Sequence, residues 1–135
     1  MPKVKRKAIP QKLRAEIFKK YDGHCAYCGK ELSQKGWQVD HLIPVQRERF
    51  GRATEQEVER FENFMPSCRR CNHYKRAHSL ETFRRYIEEI PEKLKEGNYI
   101  YKVGLDYGLI AEHPRKIVFY FEAWEFEHKD DYIIG

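Results

Sequence analysis

The chain has 135 residues, 41% of them apolar and 14% aromatic, which supports one folded domain with a modest core and excludes a disordered chain. No run reaches the roughly 18 apolar residues of a membrane helix, and the N-terminal cations are not followed by the apolar stretch of a secretory signal, so a cytoplasmic protein with no membrane partner is expected. Basic residues exceed acidic ones for a formal charge of +5. The excess gathers in "MPKVKRKAIPQKLRAEIFKK" and "CRRCNHYKR", whereas "FEAWEFEHKDDYIIG" is acidic, a pattern that points to a polyanion on one face, nucleic acid first.

In chain order, residues 1–10 read as a basic arm and 11–135 as a single domain. "QKLRAEIFKKY" sets Leu13, Ile17 and Tyr21 on one helical face, and Asp22-Gly23 stops that helix. "CAYCGKEL" is a tight loop and "GWQVDH" a short strand. Between Pro44 and Cys68, Thr54 and Glu57 form a capping box ahead of Val58 and Phe61, so a short helix is expected there. "NHYKRAH" begins a helix at the second cysteine pair. Ser79 starts another, with Phe83, Ile87 and Ile90 inward, and Pro91 either kinks it or begins the next segment. Gly97 closes this region. From Asn98 onward the chain is aromatic and β-branched, and "KIVFYF" reads as a buried strand, so the extension 98–135 is expected to be β-rich. Its place is open: completing the core, or meeting a protein partner or a second copy in a homodimer.

Cys25-x-x-Cys28 and Cys68-x-x-Cys71 use all four cysteines. Two residues between thiolates let one turn present both sulfurs to a single ion, and two such turns complete a tetrahedron suited to structural zinc. The 39 residues between the pairs exceed a simple zinc ribbon, so the zinc staples an inserted element. That element contains "VDHLIP". There an acid and an imidazole stand together in an apolar stretch where polar groups are expensive. Phosphodiester cleavage needs a base, a hard cation and groups that hold the backbone. His41 has the imidazole of a general base. Asp40 offers hard oxygen to magnesium or manganese, and an asparagine carbonyl is a fitting second ligand. Lys75 and Arg76 are placed to grip phosphates. Neighbours on a regular strand face opposite ways, so the strand must end or twist at this pair. Tyr27 is read as packing, and His24, His78, His113 and His128 lie outside the pattern.

"CAYCG", "VDHLIP", Asn63 and "CRRCNHYK" together resemble the HNH endonucleases, most closely their small free-standing bacterial and phage forms. The resemblance implies an α+β fold: a ββα-metal core over 25–76, stapled by the four-cysteine zinc and flanked by helices. It implies that His41 is the general base, Asp40 a ligand of the catalytic metal, Asn63 a brace that helps orient the base, and Asn72 the second metal ligand. His73 stands beside Asn72 as the alternative third member. Lys75 would contact phosphate. The products would carry 5′-phosphate and 3′-hydroxyl ends. DNA would be held mostly through its phosphates by Lys3, Lys5, Arg6, Lys7, Arg69, Arg70, Lys75 and Arg76. The competing classes are a non-catalytic zinc module that binds nucleic acid or protein, and a nuclease acting on RNA.

Overall fold

Residues 8–44 and 59–129 are described in a computed structural model of the chain. The arm residues Lys3, Lys5, Arg6 and Lys7, and the expected helix begun by Thr54 and Glu57, lie outside them. Helix α1 (Gln11–Lys19) buries Ile17 fully, and Tyr21 just beyond it is buried as well. The chain leaves α1 through two left-handed residues, Asp22 (φ 56°) and Gly23 (φ 79°). Glycine and, less often, aspartate are the residues that tolerate this region. The first cysteine loop follows, and its Ala26 N–H donates to Pro66 O at 2.8 Å.

Strands β1 (Gln38–His41) and β2 (Phe64–Ser67) pair antiparallel, with Gln38 opposite Ser67 and His41 opposite Phe64. β2 is buried along its length. A short 3-10 turn, Phe61–Asn63, leads into it. Lys20 closes that turn, its Nζ donating to the carbonyls of Phe61, Glu62 and Phe64 at 3.0, 3.1 and 2.9 Å. Burial lowers the pKa of this ammonium from its ordinary value, against the pull of Glu125 and Glu62. Helix α2 (Arg69–Lys75) then begins inside the second cysteine pair, earlier than "NHYKRAH" suggests, and packs on β1. Its first turn is capped by Cys68, whose Sγ accepts the Cys71 N–H.

Helix α3 (Leu80–Glu88) starts at Ser79, whose hydroxyl accepts the Thr82 N–H at 3.2 Å. Phe83 is fully buried, and Ile87 and Ile90 partly so. Pro91 lies in the first turn of a separate helix, α4 (Ile90–Gly97), where its missing N–H has no partner to lose. The expected β-rich extension is corrected. From Asn98 on, the described residues form two helices, α5 (Tyr99–Asp106) and α6 (Tyr120–Glu127), and no strand. Asn98 starts α5 by accepting the Tyr101 N–H at 3.0 Å. "KIVFYF" finds no partner strand and turns into α6 at Tyr120. The N–H groups of Tyr120 and Phe121 donate instead to Tyr27 O and Ala26 O at 3.1 and 2.8 Å. Strand propensity reflects a pleated, half-buried setting, and here the cysteine loop offers carbonyls to a helix start.

Phe119 and Phe121 enter the core with Phe83, Tyr27 and Tyr21. The rings of Phe83 and Phe119 stack at 5.2 Å, and Tyr27 meets both edge-on. The architecture is thus a two-stranded sheet between helices, with the four cysteines drawn together at one end. No helix among the described residues is long and apolar enough to cross a membrane.

Candidate active site and metal centre

The sulfurs of Cys25, Cys28, Cys68 and Cys71 lie within 4.8 Å of one another, and those of Cys28 and Cys68 are 3.9 Å apart. A tetrahedral ion with bonds of about 2.3 Å holds its sulfurs about 3.8 Å apart. The four can hold one metal ion. The Cys25 thiol is lowered to about 4, chiefly by a hydrogen bond from Cys71 and then by backbone groups of the two loops. That bond pushes the Cys71 thiol up, and burial does the same to Cys28. Four thiolates at this distance repel one another. A divalent cation removes the conflict, because each sulfur then binds it deprotonated.

β1 ends at His41, and this ending lets adjacent residues border one cleft. Asp40 turns toward α2 and the first cysteine loop. The Tyr27 hydroxyl donates to its Oδ2, and Lys75 Nζ lies 3.0 Å from the same oxygen. Lys75 also donates to His41 O at 2.9 Å. Burial, and then the Asp40 charge, raise the Tyr27 phenol far above its ordinary value, so it stays a donor.

The expected phosphate contact of Lys75 is therefore corrected. Its exposure is 0% and its ammonium serves Asp40. The reason is helical geometry. Lys75 is one turn beyond Cys71 on the same inward face of α2.

His41 points its Nε2 at Glu59 Oε1, 2.8 Å away, and meets the Phe64 ring edge-on. Asn63 braces the loop just past His41. Its Oδ1 accepts the Ile43 N–H at 2.6 Å and its Nδ2 donates to Ile43 O at 3.0 Å, while its own carbonyl accepts the Leu42 N–H. On α2, Asn72 gives an amide N–H to Gln38 Oε1. That assignment leaves its Oδ1 as the group able to take a cation.

A cleft of about 360 Å³ is lined by Asp40, His41, Asn72, His73 and Arg76, with Val39, Pro44 and Ala77. Of the residues marked from sequence, it gathers Asp40, His41, both candidates for the third position, and Arg76. Asn63 supports from behind and Lys75 from beneath. Arg69 and Arg70 are exposed on α2 and do not line it. Arg76 ends α2 with φ 53° and ψ −139°, backbone that L residues rarely adopt. Two residues escaped the sequence reading. Tyr27 looked like packing, although its place inside the cysteine pair fixes it near the element that pair staples. Glu59 carries no signal in its spacing. A carboxylate and an amide oxygen beside an imidazole form a hard donor set that fits magnesium or manganese better than a soft ion.

No curated protein and no solved structure matches the chain. The family model of the HNH endonuclease matches residues 25–78, a span that opens on the first thiolate and closes just past α2. The match marks that span, and not the rest of the chain, as similar to the HNH endonuclease family.

Proposed function

We propose that the protein is a metal-dependent DNA endonuclease that hydrolyses phosphodiester bonds with His41 as general base. The family match supports a nuclease-type hydrolase acting on nucleic acid. The observation that carries the finer reading is the meeting of Asp40, His41 and Asn72 on one open cleft. Glu59 takes the Nε2–H of His41, which leaves the Nδ1 lone pair to draw a proton from water. The water then attacks phosphorus in line as the bond to the 3′ oxygen breaks, and that oxygen takes a proton from solvent, leaving 5′-phosphate and 3′-hydroxyl ends. Asp40 and Asn72 would hold magnesium or manganese, which would supply neutralisation of the negative charge that develops as the bond breaks. Asn63 keeps the loop after His41 in register. Arg76 at the cleft, and Arg69 and Arg70 on α2, hold DNA by its phosphates, with the arm residues Lys3, Lys5, Arg6 and Lys7 adding to them. The ion on the four cysteines is zinc in a structural role.

The test is cleavage of supercoiled plasmid with magnesium added or omitted, by wild type and by His41→Ala. General-base catalysis is worth about 10²–10⁴-fold, and the variant should lose that much rate while keeping zinc and DNA affinity. A variant that cuts as fast as wild type removes His41 from the mechanism.

A further inference from the structure

Asp40 has two oxygens, and the protein treats them differently. The Tyr27 hydroxyl and the Lys75 ammonium both converge on Oδ2. All three side chains are buried: Lys75 at 0%, Tyr27 at 3% and Asp40 at 6% exposure. Their sources are distinct, since Tyr27 sits between Cys25 and Cys28, Asp40 on β1 and Lys75 at the end of α2. Both donors are themselves held. Rings of Phe83, Phe119 and Phe121 surround Tyr27 edge-on at 5.4, 5.6 and 6.2 Å, and Lys75 is anchored by its second bond to His41 O. Oδ1 receives no such bond among the described residues, and Asp40 borders the cleft.

We propose that Tyr27 and Lys75 are positioning residues that occupy Oδ2 of Asp40 and thereby reserve Oδ1 as the single oxygen this carboxylate offers to a divalent cation. The inference rests on Asp40 being a ligand of that cation. It carries a selectivity. Magnesium and manganese take six ligands in a near-octahedral array and accept a carboxylate through one oxygen. Calcium takes six to eight and readily uses both. A carboxylate with one oxygen engaged by two buried donors disfavours the bidentate mode. It also ties the thiolate centre to the cleft, because Tyr27 can reach Asp40 only while its loop is folded on β2.

The experiment titrates manganese by electron paramagnetic resonance, with calcium as competitor, on wild type, Tyr27→Phe, Lys75→Gln and Asp40→Asn, each with its zinc content measured. Removing a group that orients a metal ligand commonly weakens metal binding about 10–100-fold. Tyr27→Phe keeps the ring packing and should bind manganese about tenfold more weakly, with one zinc per chain retained. Calcium should lose less, so that the manganese-to-calcium preference falls. Lys75→Gln takes the ammonium from the same oxygen, leaving the Tyr27 hydroxyl on it, and should move the preference the same way, whatever happens to overall affinity. If neither variant shifts the preference, or both ions weaken by an equal factor, Tyr27 and Lys75 do not select the oxygen and the proposal fails. If Asp40→Asn leaves manganese binding unchanged, it is the ligand reading of Asp40 that fails.

Discussion

Between Cys25 and Arg76 the interior sets polar and sulfur groups among buried Leu32, Trp37, Phe64 and Met65: four thiols, a carboxylate between a phenol and an ammonium, and an asparagine stitched to Ile43. From Leu80 to Glu127 it is held by rings, with Phe83, Phe119 and Phe121 seated against Tyr27. The first region fixes the direction of atoms. The second excludes water from the groups that do so. Hydrogen bonds among buried polar groups are directional and costly to leave unmade, while apolar contacts are non-directional and forgiving. A site therefore needs the first kind of interior, and a cover can manage with the second.

Removing the zinc proposed for the four cysteines should have the largest effect on this contrast. A structural zinc contributes its binding energy to folding, so chelation at neutral pH, or Cys68→Ser, should abolish the cooperative melt of the sheet. Because α6 rests on the carbonyls of Ala26 and Tyr27, its helical signal should fall as well. Far-ultraviolet circular dichroism that keeps its full helical intensity after zinc loss would show the two regions to be independent.

Gly29 sits where the regions touch, with φ +78°, and a Cβ there would come within 2.7 Å of the Tyr120 ring. Gly29→Ala should cost about 1–3 kcal/mol through left-handed strain and displacement of α6. Thermal melts followed by tryptophan fluorescence measure it, and an unchanged midpoint would mean that the contact yields freely.

The smallest effect belongs to the clasp of α3 on α6. Arg84 grips both oxygens of Glu122 at 2.8 and 2.7 Å, and Glu122 also accepts the Phe119 N–H. The Arg84 bond holds the Glu122 carboxyl below its ordinary value, against partial burial. A depressed carboxylate stabilises above its unfolded value near 4.3 and ceases to as pH falls through its folded value. Glu122→Gln should therefore lose about 1 kcal/mol at pH 7 for a partly exposed pair. The gap from wild type should close in acid, and denaturant melts of the two proteins side by side read it directly.

What the sequence disclosed follows the same division. The cysteine pairs, the strand ending at His41, the stop at Gly23 and the cap at Ser79 depend on residues close together in the chain, whose spacing carries the geometry. Lys75 was misread because a lysine beside arginines looks solvated, although its distance of one turn from Cys71 already put it on the inward face. "KIVFYF" was misread because its propensity is local, whereas its fate was decided by Tyr27 and Ala26 far away in sequence. Glu59 reaches His41 across 18 positions with no pattern to announce it.

The burial of Lys75 also orders events in time. During synthesis Asp40 and His41 leave the ribosome well before Lys75, before the second cysteine pair, and long before Phe119 and Phe121. Contacts between distant segments form only after long loops close. Until then Asp40 is a hydrated acid on a strand without a neighbour, and neither donor fixes its oxygens. A nascent chain thus holds the acid and the imidazole of the cleft without their geometry.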